Sequence, residues 1–287
     1  MRPRADTLLV WTGAACGYGC PACPIDADAG PAGIESGPLH SALRDGAADR
    51  LVLLVGGEPL LRRDVLRLLA VIRAAGGVPG LVTTGRPLVY PQWRERLRRA
   101  GLGYLRVQLF GTGAAHDRAV AVPGAYAQAL DGLRAWLSDG DAACDVDVAL
   151  STRPGSGDLA ADVATLAAVI GASRAQLVVA VDPDAGAGAA LAGAVAALDA
   201  GEAGRERPLL VWEGLPDGLA SRARVAPPRP RFAGTAPPAC CLGRVAALAQ
   251  RAAPPATAPR ANSFNYVRTG RTAPWTPAAE RCTAHAA

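Results

Sequence analysis

The chain has 287 residues, 50% of them hydrophobic and 19% charged, which provides for one substantial core plus an extension and excludes an intrinsically disordered chain. Its formal net charge of +5 rests on arginine alone, because no lysine occurs. The arginines are scattered over polar helix faces (Arg62, Arg63, Arg94, Arg96, Arg98, Arg99), which fits a GC-rich coding bias at least as well as a nucleic-acid interface and argues against the latter.

From residue 7 to about 215 short β-rich runs alternate with helical patterns, the signature of parallel βαβ units. Thr7 to Thr12 reads as the first strand, followed by a cysteine-rich loop and by a loop over residues 26–37. Pro38 to Ala48 reads as a short helix in which His40 is an ordinary surface histidine. Leu51 to Val55 is a continuous apolar run, as in a buried parallel strand. Gly56-Gly57-Glu58-Pro59 then turns the chain into a helix over Leu61 to Ala75, with Leu61, Val65, Leu68, Leu69 and Ile72 on one face and Gly76-Gly77 as its stop.

Gly80 to Thr84 reads as the third strand, and Pro91 opens a helix with Trp93, Leu97 and Ala100 facing inward. Tyr104 to Phe110 is the fourth strand, with Gln108 near its end, and a loop containing His116, Asp117 and Arg118 follows. Asp117 reads as an anchor of that loop rather than a catalytic group. Tyr126, Leu130, Leu133 and Leu137 mark the next helix. Asp145 to Ser151 reads as a fifth strand, with Cys144 before it as a small buried hydrophobe. Leu159, Val163, Leu166 and Ile170 mark a helix, Gln176 to Val181 a sixth strand, and Leu191, Val195 and Leu198 a sixth helix; Pro208 to Trp212 can extend the sheet. The expected architecture is α/β, a partial (βα)6 TIM-like barrel over residues 1–215. A Pro/Ala/Arg-rich C-terminal extension follows over residues 216–287.

No stretch of about 18 apolar residues is present, so no membrane span is expected. Arg2 and Arg4 precede an apolar run that stops at Trp11, too short for a secretory signal. Seven cysteines, three of them in one loop, argue against a disulfide framework and for a reducing compartment, the cytoplasm.

Those three are Cys16, Cys20 and Cys23, in the glycine-rich stretch Cys16-Gly-Tyr-Gly-Cys20-Pro-Ala-Cys23. Three thiolates can hold a four-iron cluster and leave one iron open to a further ligand. Sites on parallel barrels form where strands end, so Cys16, Cys20 and Cys23, Gly56 to Pro59, Thr84 and Gln108 are expected to share one rim. The spacing Cys-x3-Cys-x2-Cys, with Gly56-Gly57-Glu58-Pro59 after the second strand, resembles the radical S-adenosylmethionine (radical SAM) enzymes. The resemblance implies that Cys16, Cys20 and Cys23 bind a 4Fe-4S cluster. It also implies that Gly56, Gly57, Glu58, Pro59, Thr84 and Gln108 contact S-adenosyl-L-methionine, with Glu58 accepting from the amino group. It implies further an external electron donor of flavodoxin or ferredoxin type and hydrogen abstraction from a peptide or small-molecule substrate.

The chain departs from the family pattern at Ala22, where a bulky residue is usual before the third cysteine. It departs again at Phe110, where many members have histidine, and at Thr84, where asparagine is frequent. Ala22, Phe110 and the irregular extension keep a second reading open, a non-catalytic homologue that acts as a binding partner. A three-cysteine structural metal site fits less well, since it wants a nearby fourth ligand and only Asp26 and Asp28 are at hand. In the extension, Cys240, Cys241, Cys282 and His285 admit two readings, an auxiliary cluster or uncoordinated thiols. The adjacent pair and low ligand count favour the second.

Overall fold

The computed structural model describes residues 7–21, 23, 36–140, 143–151, 158–171, 173, 175–180 and 209–213. Seven strands are present among them: β1 (Thr7–Trp11), β2 (Leu51–Val55), β3 (Val78–Thr83), β4 (Tyr104–Leu109), β5 (Asp145–Ser151), β6 (Gln176–Ala180) and β7 (Leu209–Glu213). Six helices accompany them: α1 (Ser36–Gly46), α2 (Val65–Ala74), α3 (Pro91–Arg99), α4 (Gly113–Val120), α5 (Ala125–Ser138) and α6 (Leu159–Ile170). The strands pair in chain order, each parallel to the next. A doubly wound sheet reverses its strand order part-way, whereas this one never does, so the architecture is an arc of a (βα) barrel. β7 adds a seventh strand through the run read as an extension of the sheet. The sixth helix expected around Leu191, Val195 and Leu198, and the extension over 216–287, lie outside the described residues.

Alternation along the strands sends Val52, Leu54, Leu81, Leu105, Val107, Val148, Leu150, Leu177 and Val179 into the main core, where they meet Leu43, Leu68, Ile72, Leu97, Leu133, Trp136, Val163 and Leu166 of the helices. The opposite face carries a smaller cluster of Leu51, Leu53, Val55 and Tyr104. β2 is therefore buried on both faces, which is why its sequence is apolar without interruption. β4 and β5 place buried polar groups on that second face: Tyr104 donates to Asp147 (2.6 Å), and the Gln108 amide donates to Ser151 Oγ (2.9 Å). No helix among the described residues is long and apolar enough to cross a membrane.

Three local expectations are corrected. Leu61 does not share the buried face of α2: Pro59–Leu61 forms a separate 3-10 turn, the helix starts after Asp64, and Leu61 is 54% exposed. That break resets the helical phase, and only Val65, Leu68, Leu69 and Ile72 are buried. His40 is not a surface residue but is 6% exposed, with Nε2 3.5 Å from Asp64 Oδ2. Burial first, and then Arg67, hold its pKa below the usual histidine value, against the pull of Asp64. The stretch with His116 and Asp117 is the helix α4 rather than a loop. Asp117 keeps its expected anchoring role, since its carboxylate accepts from the backbone N–H of Gly124 (2.6 Å) and Tyr126 (2.8 Å) at the start of α5.

Candidate functional site

The cysteine loop leaves β1 and lies on the turn that leaves β2. Gly57 N–H donates to Gly13 O (2.9 Å) and Glu58 N–H to Ala15 O (2.7 Å), so the two segments run against each other backbone to backbone. Only glycine permits this contact. A Cβ on Gly57 would lie 2.3 Å from Ala15 O, and one on Gly56, whose φ is +148°, would lie 2.5 Å from Gly13 O. The glycine pair thus seats the thiol loop.

Glu58 is 4% exposed, and its carboxylate binds the ends of two strands together. It accepts from Leu60 N–H (3.1 Å), the Thr83 hydroxyl (2.8 Å to Oε2), Thr84 N–H (2.8 Å) and the Thr84 hydroxyl (2.7 Å). Four donors match the acceptor capacity of a carboxylate, so an incoming ammonium has to compete with one of them. Burial raises the Glu58 pKa, and the bonds from Thr84, Leu60 and Thr83 oppose that rise.

Cys16, Cys20 and Cys23 are each half-buried and form no disulfide. They share one loop but lead to different neighbours. Cys16 Sγ accepts from Tyr18 N–H (3.4 Å), Cys20 packs with the Phe110, Val120 and Ala125 cluster, and Cys23 packs with the Leu51, Leu53, Val55 and Tyr104 cluster. A backbone bond from Cys23 N–H to Cys20 O (3.0 Å) closes the turn between the last two. The Cys16 thiol is pushed up to about 11, by burial first and then by the charges of Glu58, Cys20 and Cys23, with the Tyr18 N–H working the other way. Among the described residues no three His, Cys, Asp or Glu side chains are drawn together as a ready metal-ligand group. The donor chemistry nevertheless fits an iron-sulfur cluster: three thiols on one loop beside a glycine-seated turn are the ligand type such clusters take.

Of the other residues expected at this rim, Thr84 joins Glu58 directly. Gln108 is buried on the β4–β5 pair, where its amide nitrogen bonds Ser151, Ala149 O (3.2 Å) and Leu109 O (3.1 Å). Ala22 lies outside the described residues, as do Cys240, Cys241, Cys282 and His285.

Sequence reasoning gave no contact at the site to three residues that meet the loop or Glu58. Arg86 donates to Gly17 O (3.2 Å) and Gln128 (2.7 Å), and its guanidinium sits 5.5 Å from the centre of the Tyr18 ring. His116 is fully buried and reaches the Tyr18 hydroxyl with Nε2 (3.4 Å). Thr83 bonds Glu58. Two adjacent threonines at a strand end, opposite a buried acid, were the available signal for the last of these.

No family model matches the chain. Over 83 residues it is 39% identical to the pre-heme d1 synthase of Dinoroseobacter shibae, covering 29% of this chain and 20% of that protein. Over 104 residues it is 33% identical to the AdoMet-dependent heme synthase of Methanosarcina barkeri, covering 36% of this chain and 29% of that protein. Among solved structures, Streptococcus suis SuiB bound to S-adenosylmethionine aligns with 61% of this chain and 38% of its own, at 12% identity and a TM-score of 0.48. The chain spans about a fifth to a third of the length of the curated relatives it matches. These sequence similarities support the radical SAM superfamily as the chain's relationship.

Proposed function

We propose that the chain is a radical SAM enzyme in which Cys16, Cys20 and Cys23 hold a 4Fe-4S cluster beside the Gly56–Pro59 turn. When bound, the cluster supplies the electron for reductive cleavage of S-adenosylmethionine and hydrogen-atom abstraction from substrate. The observation that carries this reading is the backbone pairing of the thiol loop with the Gly57–Glu58 turn at the carboxyl ends of β1 and β2. Gly56 and Gly57 seat the loop, and Glu58 fixes Thr83 and Thr84 at the same rim. The substrate is a peptide or small molecule, and the electron comes from a flavodoxin- or ferredoxin-type donor in the cytoplasm.

One observation favours the second reading, a homologue that keeps the fold without the reaction: the Glu58 carboxylate is already satisfied by Leu60, Thr83 and Thr84. Anaerobic reconstitution followed by reduction with S-adenosylmethionine separates the two. Formation of 5'-deoxyadenosine is expected, and its absence from a cluster-loaded chain establishes the second reading.

A further inference from the structure

His116 and Tyr18 join two stretches that are 98 residues apart in the chain. His116 lies on α4 with none of its surface exposed, and its Nδ1 accepts the Phe110 backbone N–H (3.1 Å) just beyond β4. A neutral imidazole that accepts at Nδ1 carries its proton at Nε2, so Nε2–H is the donor facing the Tyr18 oxygen at 3.4 Å. The rings of Phe110, Tyr18 and Tyr126 surround the imidazole with centroids 6.2, 5.8 and 6.0 Å away, which fixes its plane.

The donors then run in one direction, from Phe110 N–H to His116 and from His116 to the Tyr18 oxygen. This link ties the thiol loop to the end of β4. Two further ties hold the same part of the loop: Arg86 to Gly17 O (3.2 Å) and Gly19 N–H to Val120 O (2.9 Å).

We propose that His116 is a positioning residue which, through Tyr18, latches the cysteine loop to the end of β4 and so presets the thiols on either side of Tyr18. The proposal rests on the cysteine loop being the cluster site. It acts on the metal-free chain as well, which is where it is tested.

The experiment measures iodoacetamide labelling of each cysteine by mass spectrometry in the full metal-free chain, for wild type, Tyr18→Phe, His116→Asn and the double variant. Tyr18→Phe keeps the ring and removes the hydroxyl. His116→Asn keeps an acceptor for Phe110 N–H and withdraws the donor to Tyr18. Each single variant is expected to label Cys16 and Cys20 between about 2- and 10-fold faster, the factor one hydrogen bond supplies. Cys144, buried at the start of β5, is expected to keep its wild-type rate. The double variant is expected to go no faster than the singles, because both remove one shared interaction. Unchanged rates in the singles, multiplied rates in the double, or equal acceleration of Cys144 each overturn the latch. Iron uptake by the wild type is scored separately: a chain that loads no iron sinks the cluster reading, while the labelling result still decides the latch.

Discussion

Replacing Gly57 with alanine puts a Cβ 2.3 Å from Ala15 O and 2.5 Å from Ala14 O, where Cβ atoms essentially never approach within 3.0 Å. Both obstacles are backbone, so neither can swing aside as a flexible side chain would. The thiol loop has to retreat by most of an ångström, stretching the bonds from Gly57 N–H to Gly13 O (2.9 Å) and from Glu58 N–H to Ala15 O (2.7 Å). Overpacking of this kind costs about 1–3 kcal/mol, and each weakened backbone bond about 0.5–1.5 kcal/mol. The metal-free variant is therefore expected to be roughly 2–4 kcal/mol less stable, a fall in Tm on the order of 5–15 °C for a chain of this size. Calorimetry of the metal-free chain measures this directly, and iron uptake after reconstitution should fall in parallel because the displaced segment carries Cys16. Gly37→Ala is the control: it sits in α1 with no atom within 4 Å of the added Cβ, so its Tm should hold or rise slightly. A Gly57→Ala chain with unchanged Tm and wild-type iron would refute the seating argument.

Three further outcomes follow from the same geometry. Glu58→Ala leaves Leu60 N–H and the Thr83 and Thr84 donors without their buried acceptor, so the metal-free chain should lose about 2–4 kcal/mol; a residue serving only as a ligand contact would leave denaturant midpoints where they were. Gly132→Ala should destabilise by about 1–3 kcal/mol despite alanine's better helix propensity. Its Cβ would lie 2.4 Å from Gly85 O, and an increase in Tm would show that α5 does not pack that closely on the turn after β3. With its pKa raised to about 11, the Cys16 thiol is protonated at neutral pH, so alkylation of Cys16 in the metal-free chain should be slow at pH 8 and climb toward pH 11. A rate already saturated at pH 8.5 would contradict the burial that raises it.

The strands were legible because parallel strands buried on two faces leave uninterrupted apolar runs, as Leu51 to Val55 does, and because each run is followed by turn residues. The position of the thiol loop after the first strand was legible for the same reason. What could not be read was phase and pairing. Leu61 fits the helical period of α2 on paper, but a proline-started turn intervenes before Asp64. α4 buries only His116 and Val120, four residues apart, and Gly111 and Gly113 around its start suggest a loop, so its period is too short to register. His40 reads as surface because a lone polar residue in an amphipathic helix usually is. Its half-buried neighbour Asp64 lies 24 positions on and has no local signature. The Glu58 carboxylate could be assigned a ligand from a motif, but its partners Thr83 and Thr84 sit on another strand, and only the parallel register of β2 and β3 brings them to it.

The central claim is that Cys16, Cys20 and Cys23 together hold one four-iron cluster. The direct measurement is iron and sulfide content after anaerobic reconstitution of the wild type and of the Cys16→Ala/Cys20→Ala/Cys23→Ala variant, each checked for its metal-free fold by circular dichroism. The account predicts that wild type exceeds the variant by about four irons per chain, the complement of one such cluster. Equal iron in two equally folded proteins would contradict it.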